Sequence, residues 1–211
     1  MLRLPIQLGF PFRIWAIAQA TLTELARMKA FAFLLIFSLI VIGNSAFLAR
    51  LSFAEEFQML KDISLGAMSV FSAMLAIFGT ASLIPKDIED RTTYTILSKP
   101  VHRYEYLFGK LMGIFLLLAI SILIMFVLFA AVLFYRQQAV ISQTIAELGS
   151  ASSGELEDAL KQIQSAAFNK DLVLATIIIF FKSAVIAAVT LLISSFSTSA
   201  IYGMITSTAV Y

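Results

Sequence analysis

The ionisable side chains of this chain are few, and where they sit limits the chemistry it can do. The densest group reads Lys86-Asp87-Ile88-Glu89-Asp90-Arg91, followed by Lys99, Arg103, Glu105 and Lys110. Between these charges lies a short apolar patch, Tyr94, Ile96 and Leu97, and Pro100 stops any helix at or just before Lys99. That pattern suits docking, because apolar side chains fill a partner's cleft while rim charges fix the register. It suits catalysis poorly. His102 is the single histidine and there is no cysteine, so a histidine-based metal cluster, a thiolate site and a disulfide are all excluded. The Gly-x-x-x-x-Gly-Lys-Ser/Thr loop that cradles phosphates is missing, and Gly109-Lys110 follows no glycine-rich loop. The chain is therefore expected to bind no nucleotide, metal or other cofactor of its own. Carboxylates sit at the borders of the apolar runs rather than inside them, which argues against a proton relay.

The elements that carry these residues follow from hydropathy. Of the 211 residues, 60% are hydrophobic and 13% charged, about half the charge of an ordinary soluble domain. Residues 30–49, 63–85 and 111–135 contain no charge at all, and each run is 20 residues or longer. At roughly 1.5 Å per residue each can cross a hydrocarbon core of about 30 Å. None alternates as a strand of a membrane barrel would. The tail from residue 172 is apolar apart from Lys182 and a polar patch at 194–199. The preferred partition makes 172–193 a fourth span and 200–211 the start of a fifth, unfinished at Tyr211 as in a piece of a longer protein. The other makes 183–203 the span, with Lys182 at its border. Lys182 accordingly has two readings. Near the bilayer centre it marks a possible translocation path, since a buried ionisable group is costly. At a border it snorkels to the surface.

The expected fold is an all-α membrane protein, a polytopic transmembrane helix bundle. Residues 1–29 precede the membrane domain of 30–211. Within them residues 12–29 mix Arg13, Glu24 and Arg27 with Trp15, Leu22 and Leu25, as an amphipathic helix lying in the interface does. Small residues at Gly66, Ala67, Ser69, Ser72, Ala73 and Ala76 mark the second span for close packing. Nine basic residues flank the spans on the side of the N-terminus and the 86–110 loop, against five on the other. Lys and Arg accumulate on the cytoplasmic side, so the N-terminus and that loop are expected there, in an inner or plasma membrane. Residues 136–171 are then external. Helical spacing before Gly149, and Ser152 with Glu155 as a capping box, predict a small helical hairpin. Nothing points to nucleic acid.

The loop has a further quality. Glu89, Thr93, Leu97-Ser98, Pro100-Val101-His102-Arg103 and Gly109-Lys110 stand in an order that resembles the ABC-2 type permeases, the membrane subunits of one class of ABC exporter. Within that family the likeness is to the multi-copper enzyme maturation permease group. The segment with Glu24 and Arg27 is similar to the family's elbow helix. Thr92 stands where the family usually has glycine, and four spans with part of a fifth stand where it usually has six. The resemblance implies a permease that pairs with a second permease copy or a paralogue, among membrane lipid, and is driven by a separate ABC ATP-binding subunit. ATP and Mg would reside in that subunit. It further implies that residues 89–98 form a coupling helix. Glu89, Asp90 and Arg91 would be its rim, Ile96 and Leu97 its apolar plug, and Pro100 and Arg103 the turn and its tie. The competing reading is a membrane anchor that recruits a cytoplasmic partner through the same loop without transport.

Overall fold

A computed structural model of the chain describes residues 10–49, 56–89, 103–148, 171–196 and 200–210. Six α-helices account for them: α1 (Phe10–Ala26), α2 (Lys29–Ala49), α3 (Glu56–Glu89), α4 (Arg103–Leu148), α5 (Asp171–Phe196) and α6 (Ala200–Val210). No strand occurs among the described residues. A lipid-exposed backbone has no water to bond, so helices, which satisfy their own N–H and C=O groups, are the available solution. Four helices contain windows long and apolar enough to cross a membrane, namely Lys29–Phe47, Phe57–Leu83, Tyr104–Ile145 and Asp171–Phe196.

Several boundaries differ from the sequence expectation. α1 ends three residues earlier than the expected 12–29, and α2 follows it as the separate helix expected. After Ala26 the chain turns, Met28 N–H donating to Leu25 O at 3.0 Å, and α2 takes over as Ala32 N–H donates to Met28 O at 3.2 Å. Pro11 sits in the first turn of α1, where its missing N–H costs nothing. α3 runs on through Pro85 to Glu89. The stretch from Arg103 into the third span and the first arm of the expected hairpin, before Gly149, are parts of one helix, α4. At 46 residues α4 is about 69 Å long, more than twice a hydrocarbon core. Leu, Ile, Phe and Ala hold the helix through its centre, and Gly109 is absorbed because it is used for packing. Residues 149–170, with Ser152 and Glu155, lie outside the described residues.

The helices group into two compact units, and α2, α3, α4 and α5 each contribute a stretch to both. One unit is drawn from Met1–Leu34, Ala73–Ile120 and Lys182–Tyr211. Its centre is α3, where Ala76, Thr80 and Ala81 are fully buried. α1 reaches it at Gly79, where an added Cβ would come 3.7 Å from Leu25 Cδ2. α5 reaches it through Ser194 Oγ, which donates to Ala81 O at 3.2 Å. α6 reaches it at Gly203, whose position places a Cβ 3.7 Å from that of Ala81. Three helices thus meet α3 over small residues, which lets backbones approach without relying on a hydrophobic drive that lipid cannot supply.

The second unit, Leu35–Ser72 and Ser121–Phe181, is tied by a polar contact between α2 and α3. Ser64 Oγ donates to Ser45 Oγ at 3.0 Å, and Ser45 Oγ donates in turn to Ile42 O at 2.6 Å. Both serines are fully buried. Beside them Phe37 and Phe71 meet edge to face, ring centroids 5.4 Å apart. Other hydroxyls return to their own helices: Ser72 to Ser69 O, Thr176 to Leu172 O and Thr190 to Ile186 O. That is how a polar side chain is accommodated where solvent cannot reach it. α3 is the most enclosed span, with 56% of its window buried against 17–39% for the others, consistent with its run of small residues. Gly66, however, faces outward. Ser64→Ala should destabilise the protein by about 0.5–1 kcal/mol, the usual size of an interhelical hydrogen bond in a membrane protein, as read from unfolding in detergent.

Candidate functional site

Of the residues singled out in the sequence, Glu89, Arg103 and Lys182 lie in described helices. Glu89 is the last residue of α3 and Arg103 the first of α4, and both helix ends belong to the same unit as α1. Asp90, Arg91, Ile96, Leu97 and Pro100 lie outside the described residues. Lys182 lies inside α5, eleven residues from its start at Asp171, and is exposed and engaged in a contact. The serine patch does not interrupt α5 before Phe196.

What the structure brings together at this end of α4 is a docking seam for α1. The buried face of α1 is Ala18, Thr21 and Leu25, spaced three and four apart so that they share one side. Phe12 and Trp15 are exposed on the other, Trp15 to 49%, as suits an aromatic ring at a membrane interface. Opposite the buried face α4 presents two glycines four residues apart. A Cβ on Gly109 would lie 2.7 Å from Ile17 Cβ and 3.3 Å from Ile14 O. A Cβ on Gly113 would lie 2.7 Å from both Ala18 O and Thr21 Cβ. Both distances are inside van der Waals contact, and the obstacles include backbone. Only hydrogen fits. Thr21 keeps its hydroxyl satisfied by donating to Ile17 O at 2.9 Å while its Cβ packs on Gly113.

Charge is concentrated in the same turns. Glu105 and Lys110 are each 4% exposed, although both stand at the start of a helix that continues as a span. Lys110 Nζ sits 5.3 Å from the centroid of the Tyr106 ring, one turn back, a cation–π geometry. Glu105 Oε2 is buried and has no hydrogen-bond partner among the described residues. Beside this seam Leu107, Phe108 and Leu111 of α4 and Leu191, Leu192 and Phe196 of α5 line an open groove of about 400 Å³, almost wholly apolar. Such a surface suits hydrocarbon, with Ser195 as its one polar lining residue. No cluster of three His, Cys, Asp or Glu that could hold a metal ion occurs among the described residues.

Sequence reading used Gly109 only as part of the Gly109-Lys110 pair, did not match it with Gly113, and left Glu105 without a role. The signal was present: Gly-x-x-x-Gly at 109–113 is the spacing that places two glycines on one helix face. Gly113→Leu should lower stability by roughly 1–3 kcal/mol, the range for forcing atoms into a filled contact, in thermal unfolding of the detergent-solubilised protein. Gly66→Ala, where an added Cβ meets nothing within 4 Å, should leave the midpoint unchanged or slightly raised.

Comparison with known proteins places this architecture. Curated proteins yield no match. The family described as ABC-2 family transporter protein matches residues 14–211, beginning within α1 and taking in every later helix. With four helices able to span a bilayer, the chain is a multi-pass membrane protein and belongs to the ABC-2 transporter family.

Proposed function

We propose that the chain is the permease subunit of an ATP-driven ABC transporter, coupling ATP hydrolysis in a separate subunit to movement of a substrate across the membrane. The observation that carries this reading is the family match over residues 14–211, which includes the interfacial helix and all four span-length helices. The chain works with a second permease copy or paralogue, in an inner or plasma membrane with its N-terminus cytoplasmic. Its finer placement, in the multi-copper enzyme maturation group, belongs to the same proposal. ATP and Mg are bound by the partner subunit.

The coupling element is the connection from Glu89 to Arg103. It leaves α3 and enters α4 within the unit that also contains α1, so a push on it is delivered to helices packed over small residues. Small residues allow neighbouring helices to slide without losing contact. Glu89, Asp90 and Arg91 meet the ATP-binding subunit at the rim, Ile96 and Leu97 enter its cleft, and Pro100 with Arg103 holds the turn.

Two charge reversals test this without threatening the fold. Glu89→Lys puts a cation at a helix C-terminus and Arg103→Glu an anion at an N-terminus, and both suit the helix dipole. A mild-detergent pull-down of the wild-type chain should recover an ATP-binding subunit with ATPase activity. The double variant should fold and lose at least tenfold of that recovered activity. A variant that keeps its partner and its stimulated ATPase defeats the assignment of the coupling element. A folded wild-type chain that comes down alone favours the anchor.

Lys182 is assigned to the translocation path. Once a transported substrate is in hand, Lys182→Leu should impair its movement several-fold with expression and ATP-subunit recovery unchanged. Equal transport would return Lys182 to a snorkelling role.

A further inference from the structure

The groove between α4 and α5 has dimensions that select what can fill it. Its volume is about 400 Å³, and its lining runs along α5 from Ala188 to Phe196. That stretch of helix covers about 12 Å, close to the roughly 15 Å of hydrocarbon in one leaflet. The mean cross-section is then about 30 Å², against some 80 Å² for a helix 10 Å across. A further helix is too wide to enter, whereas a single extended hydrocarbon chain fits. Leu191 is buried at the floor, and Phe108, Leu192 and Phe196 are exposed at the rim. The hydroxyl of Ser195 donates to Leu192 O at 2.7 Å, so its proton is already used within α5.

We propose that this groove is a lipid site, holding one acyl chain of an anionic phospholipid from the leaflet around the start of α4 and the end of α5. Both ends of such a lipid are answered at this place. The tail meets a lining that is apolar except for Ser195. The headgroup meets positive charge. Segments flanking the spans on this side carry nine Lys and Arg against five Asp and Glu, whereas those on the other carry five against eight. A surplus of basic residues beside a bilayer attracts anionic headgroups. Shape adds retention: a chain lying over a convex helix touches protein on one side, but in this groove it is touched by α4, α5 and the floor between them, and dispersion contacts accumulate. A seated chain joins α5 to α4 within a few turns of Arg103, where α4 begins. The inference rests on the chain being a membrane protein and stands whether or not it transports anything.

Native mass spectrometry tests this on the full chain, released from mild detergent after incubation with equal amounts of phosphatidylglycerol and phosphatidylcholine. The wild type should retain one phospholipid, phosphatidylglycerol about fivefold over phosphatidylcholine. Ala188→Leu, whose larger side chain enters the groove, should retain about tenfold less at an unchanged thermal midpoint, because the space is then filled. Leu174→Phe, on an exposed stretch of α5 outside the groove, should retain as much as wild type. No retained phospholipid, no preference for phosphatidylglycerol, or equal retention in Ala188→Leu overturns the proposal. So does a second copy of the chain retained in place of lipid and lost with Ala188→Leu, which would give the groove to a dimer contact. If Ala188→Leu does not accumulate, fluorescence decides, since Trp15 is the one tryptophan. In the Trp15→Phe background, Phe196→Trp reports from the rim and Leu174→Trp from an ordinary exposed position. In phosphatidylcholine vesicles with rising brominated phosphatidylglycerol, position 196 should be half-quenched at a mole fraction about fivefold lower than position 174. Equal half-quenching rejects the site.

Discussion

The backbone of α1 lies against α4 at a separation that only hydrogen at positions 109 and 113 permits. In water a helix can be held to its neighbour by the burial of apolar surface. In a bilayer that drive is lost, because the lipid chains are as apolar as leucine. What remains is contact: van der Waals packing at short range and the occasional interhelical hydrogen bond. A side chain on either glycine would push α1 off the seam, and with it Leu25, which fills the space beside Gly79 of α3. The position of α1 thus depends on two missing methyl groups.

The same economy recurs across the described helices. α3 meets α1, α5 and α6 over Gly79, Ala81, Ser194 and Gly203. In the other unit Ser45 and Ser64 close the α2–α3 contact through a chain of hydroxyls that ends on a backbone carbonyl. Large apolar residues lie on both sides: Phe129, Met125 and Leu118 are buried, and many others face outward. Phe33, Ile36, Phe37 and Ile40 are all exposed along α2, and Leu174, Ile177, Ile178 and Phe181 along α5. A soluble protein leaves few such large apolar faces open along whole helices. For a transporter the arrangement has a mechanical sense. Helices that touch over small residues can shift against one another while large side chains stay in lipid, which yields to them.

Charge is handled differently at the helix ends than within the spans. Glu105 and Lys110 are buried where α4 begins, within two turns of each other and beside the α1 seam. Lysine and glutamate so placed cost desolvation that packing alone does not return. Lys110 answers part of that cost within its own helix, over the Tyr106 ring.

Much of this was determined by the sequence alone. Three charge-free runs and a fourth interrupted only by Lys182 require helices, because no other single-segment structure satisfies its backbone in hydrocarbon. The mixed residues around Trp15 indicated a separate amphipathic helix, and the order of residues from Glu89 to Lys110 indicated the family. The sequence could not show where helices end once apolar runs merge into polar ones, so α3 and α4 extend well beyond their charge-free cores. Nor could it separate a glycine that turns the chain from one that receives a neighbour. Gly66 and Gly113 look alike in a row of letters, yet one faces open space and the other a backbone carbonyl at 2.7 Å. Periodicity reports which residues share a face of one helix, and it carries no information on which other helix lies against that face. That choice is made by contacts between residues far apart in the chain, Ile17 with Gly109 or Ala81 with Ser194, and only the tertiary structure contains them.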